Sequence, residues 1–177
     1  IEEALEVPDS WWSGTGVQVE IVRAGADLVV TAATPDAVGL LSRCAGVLAL
    51  NRLDVRDVVS RTHRGRAVIR WTVQPKFGEP PPVDQLAADL RRGIAGGIDL
   101  ADRLGRRERD YQNSDEPRAD PAVSLVPEAS TRATVLEVRA HDQAGLLYRV
   151  TSALADAGVN VDSARATTFG SEVVDVF

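Results

Sequence analysis

The stretch PDAVGLLSRC at residues 35–44 returns, with few changes, as HDQAGLLYRV at residues 141–150, and this repeat decides the fold. An offset of 106 residues relates the copies without a gap over a long span, pairing Asp36 with Asp142, Gly39 with Gly145, Leu40 with Leu146, Leu41 with Leu147, Leu48 with Leu154, Val55 with Val161 and Trp71 with Phe177. Such a sustained correspondence indicates the internal duplication of one structural unit.

The first copy has the pattern of strands and helices in alternation. VQVEIV from Val17 and LVVTAA read as two strands around an AGAD turn. A helix with an apolar stripe follows the repeat, and DVRDVVSRT and AVIRWTV then form a strand pair around HRGR. Val83 to Ile94 marks a second helix that Gly93 should weaken, and Ile98 to Glu108 adds helical turns with a charged face. AVSLV, before Pro127, is predicted to close this unit as its last strand.

The second copy repeats the order of strand, helix, strand and strand from residue 134 and then stops at Phe177. The fold class is therefore α+β, with tandem ferredoxin-like βαββαβ units whose helices pack on one face of an antiparallel sheet. We expect domains at 17–129, with a long loop at 109–121, and at 130–177, after a linker or the end of a preceding domain at 1–16. The second unit is expected to be truncated after its third strand, which would leave an unpaired edge. The missing helix and strand would follow in a longer protein.

Composition excludes several classes of protein. The 177 residues are 44% hydrophobic with a net charge of −6, and neither a basic stripe nor an apolar run of about 20 residues is present. A cytoplasmic protein that binds neither nucleic acid nor membrane is predicted. The single cysteine, Cys44, lies on the helical stripe and is expected to be a small buried apolar residue.

Catalytic and metal sites find little support. His141 and Asp142 are neighbours whose side chains would point to opposite faces of a strand, and His63 lies in a predicted turn. Neither a nucleophile elbow nor a phosphate-binding loop occurs. A pair of carboxylates stays open as a catalytic alternative, although no pair is singled out. We therefore expect no catalytic residue, metal or cofactor in this chain.

The loop before each repeated helix has two interpretations. Asp36 and Asp142 could cap the helices by accepting hydrogen bonds from the first free N–H groups, with Gly39 and Gly145 required only for a tight turn. Alternatively, those N–H groups and the positive end of the helix dipole could hold a ligand carboxylate.

The phrase D-x-x-G-L-L in tandem units resembles the ACT domain, a regulatory amino-acid-binding module. The second copy resembles more closely the C-terminal ACT repeat of the family of bifunctional PII uridylyltransferase/uridylyl-removing enzymes. The matching residues are Glu137, Asp142, Gly145, Leu146, Leu147, Tyr148, Ala164, Thr168, Gly170, Asp175 and Phe177. The chain departs from that pattern where Gln143-Ala144 and Ala37-Val38 replace Arg-Pro, and where Ile69-Arg70-Trp71 replaces the D-x-F that ends the third strand.

The resemblance implies a regulatory region that senses glutamine and switches an enzyme between attaching a nucleotide to the PII protein and removing it. The group transferred would be uridylyl or adenylyl, and the Mg²⁺-dependent catalytic domains would lie N-terminal to this region and contact it. The resemblance also implies that ACT domains could associate with one another. The alternatives are the ACT pair of another amino-acid biosynthetic enzyme and a stand-alone ACT regulator.

The resemblance also suggests how glutamine would bind. The turn from Asp142 to Leu146 would hold the α-carboxylate, Asp142 would face the ammonium group, and Asn160 from a neighbouring unit would reach the side-chain amide. The first copy has Asp54 in place of Asn160, so the second site is expected to be the stronger. The predicted ligand-binding residues are Asp142, Gln143, Ala144, Gly145, Leu146, Asn160, Asp36, Val38, Gly39 and Leu40.

Overall fold

The two copies fold into the same succession of strands and one helix. A computed structural model describes residues 5–111, 120–143 and 145–177. The elements are α1 (Asp9–Ser13), β1 (Gln18–Ala24), β2 (Asp27–Pro35), α2 (Leu40–Leu50), β3 (Leu53–His63), β4 (Arg66–Pro75), α3 (Val83–Ile94), α4 (Leu100–Tyr111), β5 (Ala122–Leu125), β6 (Leu136–His141), α5 (Leu146–Asp156), β7 (Ser163–Phe169) and β8 (Glu172–Val176). The repeated phrase opens α2 in the first copy and α5 in the second.

One eight-stranded antiparallel sheet joins the two copies, in the order β1-β2-β4-β3-β7-β8-β6-β5. The halves meet where β3 pairs with β7, in a register that sets Asp57 opposite Thr167 and Arg61 opposite Ser163. Read outward from this junction, each half has the same order of strands, so the halves are related by an approximate two-fold axis. The α+β class and the helix-on-sheet arrangement agree with the prediction.

The placement of AVSLV differs from the prediction. This segment contains β5, which pairs with β6 through Leu125 and Leu136 instead of closing the first half. In the first half the corresponding edge position is already occupied by β1, which pairs with β2. The connection from β5 to β6 is short, and strands that are close in sequence usually pair as antiparallel neighbours.

The expected open edge in the second copy is also wrong. β8, the third strand of that copy, is paired on both sides, with β6 and with β7. The outer strands of the described sheet are β1 and β5, each of which precedes the helix of its own copy. The outer edge of each half is therefore formed by a strand that precedes the repeated phrase, β1 in the first half and β5 in the second. We had expected a strand that follows the repeated helix at each of these edges.

The helices pack together on one face of the sheet. α2 lies at the centre and contacts α3, α4 and α5. Cys44, a residue of α2, is fully buried as predicted, in a core whose largest buried members include Trp71, Leu48, Leu86 and Leu90. α4 reaches Tyr111, so the loop predicted at 109–121 begins too early; residues 112–119 lie outside the described ranges. None of the helices in those ranges is long and apolar enough to cross a membrane.

The N-terminal segment packs against the opposite face of the first half. Leu5 is buried with Ala33 and Val68, and both indoles of Trp11 and Trp12 lie against this cluster. The guanidinium of Arg66, itself buried, donates hydrogen bonds to the carbonyls of this segment, including that of Gly16 at 2.8 Å. Residues 5–16 are therefore held to the first half by apolar contact and by the hydrogen bonds of Arg66.

Candidate functional site

The two repeated loops have matching backbone geometry. Gly39 and Gly145 stand at the helix starts with φ of 84° and 74°, the left-handed region that glycine adopts without steric cost. Asp36 donates its backbone N–H to Gly65 at 2.9 Å, and Asp142 does the same to Ser171 at 2.8 Å. The tight turn predicted from the glycines is therefore present in both copies.

Of the two interpretations of the loops, the one in which Asp36 and Asp142 cap the helices is wrong. Neither α2 nor α5 has a side-chain hydrogen bond at its N-cap, which in each case is the glycine. Asp36 and Asp142 lie three residues ahead of those glycines, too early in the chain to reach the N–H groups of the first turn. Their carboxylates are left to serve another role.

The N–H groups that could hold an anion lie slightly further along the helix than predicted. Leu40 and Leu146 donate their N–H groups back to the turn, to Ala37 at 3.2 Å and Gln143 at 3.1 Å. The next N–H groups of each helix have no acceptor within the helix, because a first turn leaves its donors unused. A ligand carboxylate would therefore meet the first turns of α2 and α5. Val38 is exposed beside the first turn, and Ala144 lies outside the described residues.

Pairing between the halves places each loop against the other copy. The first loop lines what we call the Asp36 cavity, of about 390 Å³ including its open mouth, together with the segment from Val159 to Val161. There Asn160 donates from Nδ2 to Oδ2 of Asp36 at 3.2 Å. Gly39 and Leu40, both predicted as ligand-binding, line the same cavity.

The second loop lines the Asp142 cavity, of about 520 Å³ including its mouth. Asp142, Gln143, Gly145 and Leu146, which were all predicted as ligand-binding residues, line this cavity from the loop. The segment facing them is that of Leu53 to Val55 from the first copy, so Asp54 stands where Asn160 was expected. Within this chain Asn160 lies at the Asp36 loop, and service of the Asp142 loop by Asn160 of a neighbouring unit stays a prediction. The two-fold relation exchanges the partners, giving Asn160 to Asp36 and Asp54 to Asp142.

Sequence analysis did not select Asp175 as a site residue, although it forms part of the floor of the Asp142 cavity. Its side chain is fully buried, and neither carboxylate oxygen has a hydrogen-bond partner among the described residues. Burial, with a further contribution from Asp142, raises the pKa of Asp175 to about 7. A signal was present in the sequence, because EVVDVF places an acid at the position that Ile69 holds in the first copy.

Asp54 has a related but milder environment. Burial raises the pKa of Asp54, Lys76 opposes that effect, and the charge of Asp142 adds to it. Asp54, Asp142 and Asp175 all line the Asp142 cavity, whereas Asp36 is the only acidic side chain among the described residues that line its own cavity.

Other chemistry has little basis in the described residues. Nowhere in the ranges 5–111, 120–143 and 145–177 do three His, Cys, Asp or Glu side chains come together so that they could hold a metal ion. Burial raises the pKa of Cys44 to about 12, so its thiol is neutral near pH 7 and unsuited to nucleophilic attack.

Comparison with known proteins gives two findings. Residues 134–177 match the ACT domain family. Most of the chain is similar to proteins named bifunctional uridylyltransferase/uridylyl-removing enzyme. It is 40% identical over 162 residues to that of Streptomyces coelicolor, covering 86% of this chain and 19% of the relative. It is 35% identical over 177 residues to the enzyme of Mycobacterium tuberculosis H37Rv, and this match covers 92% of this chain and 22% of the relative. The chain spans about a fifth of the length of these curated relatives.

Proposed function

Since this chain is homologous over most of its length to bifunctional uridylyltransferase/uridylyl-removing enzymes, and its residues 134–177 belong to the ACT domain family, we propose that it is the amino-acid-sensing regulatory region of such an enzyme. The effector in this proposal is glutamine. Its binding would set the balance between attaching a nucleotide to the PII protein and removing it. The names of the relatives favour this assignment over a regulatory pair from another biosynthetic enzyme.

One observation carries the proposal: each cavity is lined by the loop that opens a helix in one half and by the segment at or just before the start of a strand in the other half. A ligand bound there contacts both halves and so favours the arrangement in which they are paired. A ligand shifts an equilibrium only through its different affinities for the two states. A site at the junction of two halves supplies such a difference, which neighbouring catalytic domains could sense.

Glutamine fits the Asp36 cavity better than the Asp142 cavity. Its carboxylate would meet the first-turn N–H groups of α2 and the positive end of the helix dipole. The ammonium group of glutamine would face the Asp36 carboxylate. The Asn160 amide, which already donates to that Asp36 carboxylate, would pair with the side-chain amide of glutamine. This assignment reverses the expected ranking of the two sites, because Asn160 lies at the first loop.

Calorimetric titration of the 177-residue chain with L-glutamine and L-glutamate tests the proposal. We expect tighter binding of glutamine, and we expect Asn160→Asp to weaken it about tenfold or more, because a donor is lost and a second carboxylate is set beside Asp36. Asp162→Asn, at an exposed position two residues away, is the matched control. No binding of glutamine, or equal binding of glutamate, would overturn the choice of effector.

A second arm tests the regulatory role. In a full-length enzyme that contains this segment, glutamine should change the ratio of nucleotide attachment to removal on PII. Asn160→Asp should raise the glutamine concentration that this change requires. The 177-residue chain alone should transfer nothing from UTP or ATP to PII, and detectable transfer would contradict a purely regulatory role.

A further inference from the structure

A third cavity, of about 820 Å³ including its open mouth, lies where α3 and α4 pack on α2. Four arginines line it, Arg92 from α3 and Arg103, Arg106 and Arg107 from α4, and we call it the arginine cavity. The sequence shows no basic stripe here, because α4 also contains acidic residues and Arg92 belongs to a different helix. Packing of both helices on α2 brings the four side chains to one cavity.

Positive charge exceeds negative charge around this cavity. Asp89 is the single acidic side chain among the described residues that line it, and its two oxygens already accept hydrogen bonds from Arg92 and from Nδ2 of Asn51. Arg106 also pairs with Asp102 at 2.9 Å, at the exposed side of α4. Four arginines against these two acids leave two positive charges, in a chain whose net charge is −6.

The guanidinium groups keep N–H donors for a ligand. Arg107 donates from one nitrogen to the carbonyl of Ala49 at 3.2 Å, a contact that also offsets the negative end of the α2 dipole. A guanidinium has five N–H donors, so a single contact of this kind leaves most of them for another acceptor. The side chain of Arg103 has neither a hydrogen bond nor an ion pair with another described residue. Its planar fork matches the oxygens of a phosphate group.

The inner part of the cavity is apolar. Val47 is almost fully buried, and Leu50 and Ile98 are half-buried, whereas Arg103 and Arg106 are exposed. The arginines therefore form a basic rim around an apolar floor. Sites for small molecules combine an apolar lining with a few polar groups in the same way, and their volumes are roughly 300–1,000 Å³.

We propose that the arginine cavity binds an organic phosphate. Arg103, Arg106 and Arg107 hold the phosphate group, and the organic group lies on the apolar floor. A concave site with such a floor favours a small molecule over an extended acidic segment of a protein, which would need only the charged rim. This inference does not rest on the proposed function, because it involves neither of the two cavities at the junction of the halves.

Titration of the 177-residue chain with phenyl phosphate tests the proposal, followed by amide NMR against potassium chloride at equal ionic strength. At about pH 7.5 a phosphate monoester carries close to two negative charges, since its second pKa is about 6. We expect shifts at Asn51, Gln85 and Ile98, which line the arginine cavity, and none at Thr168 of the Asp142 cavity.

Arg103→Gln should weaken this binding about tenfold or more, because a charge-assisted pair of hydrogen bonds is lost. The fold should be unaffected, since the Arg103 side chain has no partner among the described residues, and circular dichroism checks this. Arg109→Gln is the matched control: it removes the same charge from an exposed position of α4 that does not line the cavity, and it should leave the affinity almost unchanged.

Three results would overturn the inference: no shift at the lining residues, equal weakening by Arg103→Gln and Arg109→Gln, or binding of inorganic sulfate as tight as that of phenyl phosphate. Tighter binding of hexaglutamate than of phenyl phosphate would also reject it, in favour of an acidic protein segment. Binding of L-glutamine without binding of phenyl phosphate would reject this inference alone. Binding of phenyl phosphate without binding of glutamine would reject glutamine as the effector and leave the phosphate site in place.

Discussion

A single substitution between the copies changes what one cavity can do. Ile69 packs in the apolar core of the first half, whereas Asp175 puts a carboxylate at the equivalent place in the second half. A protein keeps such a group at a cost in stability, because desolvation disfavours its charged form.

We predict that Asp175 makes the stability of the unliganded chain depend on pH. The folded state keeps a proton up to about pH 7, whereas the unfolded chain releases it near 3.8. The contribution of the protonated Asp175 to the free energy of unfolding is therefore complete below about pH 3.8. It falls by up to about 1.4 kcal/mol per pH unit as the pH rises from there and is lost above about pH 7. Urea unfolding at pH 5 and pH 8 should show a smaller loss for Asp175→Ile than for the parent. The same loss in both proteins would contradict the assignment, and Glu172→Gln serves as the control.

The packing of α3 depends more on its close approach to α2 than on the helix propensity of its residues. Sequence analysis treated Gly93 as a weak point of α3, yet a Cβ at that position would collide with Cγ2 of Val47 in α2. Val47 is almost fully buried and has little room to move. Glycine at this position therefore allows α2 and α3 to pack closely, which offsets its poor helix propensity.

We predict that Gly93→Ala lowers the free energy of unfolding by about 1 kcal/mol. Overpacking against Val47 should cost about 2 kcal/mol, and the better helix propensity of alanine should offset only about 1 kcal/mol of that cost. Val47→Ala should relieve the collision, so the double variant should be more stable than the sum of the single effects predicts. Gly105→Ala in α4 is the control, since its Cβ would meet nothing within 4 Å and should stabilise the chain slightly. Denaturant unfolding of the parent and the four variants measures these effects, and additive effects would show that the two helices do not collide.

At the scale of the molecule, the halves share one core. Ala164 and Ala166 of β7 are buried in the same cluster as Trp71, and Tyr148 and Phe177 pack against it. The backbone ladder between β3 and β7 runs through the same region. Neither half can open at this junction without exposing apolar surface of the other.

We predict that both halves unfold in one transition. The three tryptophans all lie in the first half, so their fluorescence should report the same midpoint as far-UV circular dichroism, which senses both halves. Ala164→Asp, which buries a charge in the second half, should lower both midpoints together by an amount worth several kcal/mol. Ser163→Asp on the exposed face of β7 is the control. A fluorescence midpoint that stays in place while the dichroism curve divides in two would show independent halves.

The sequence by itself determined the features that depend on neighbouring residues. The offset of 106 residues indicated the repeated order of strands, the apolar spacing predicted α2 and α5, and Gly39 and Gly145 predicted the tight turns. The burial of Cys44 followed from the same helical stripe. These inferences succeeded because periodicity and backbone conformation are local properties of the chain.

Tertiary structure alone decided which residues meet. β5 joined the second half and not the first, Asn160 came to Asp36 and Asp54 to Asp142, and Asp175 reached the floor of a cavity without a partner. Each outcome depends on the pairing of β3 with β7, which joins residues about a hundred positions apart. The local pattern of each copy is satisfied by several such pairings, and only the burial of a common core selects one of them.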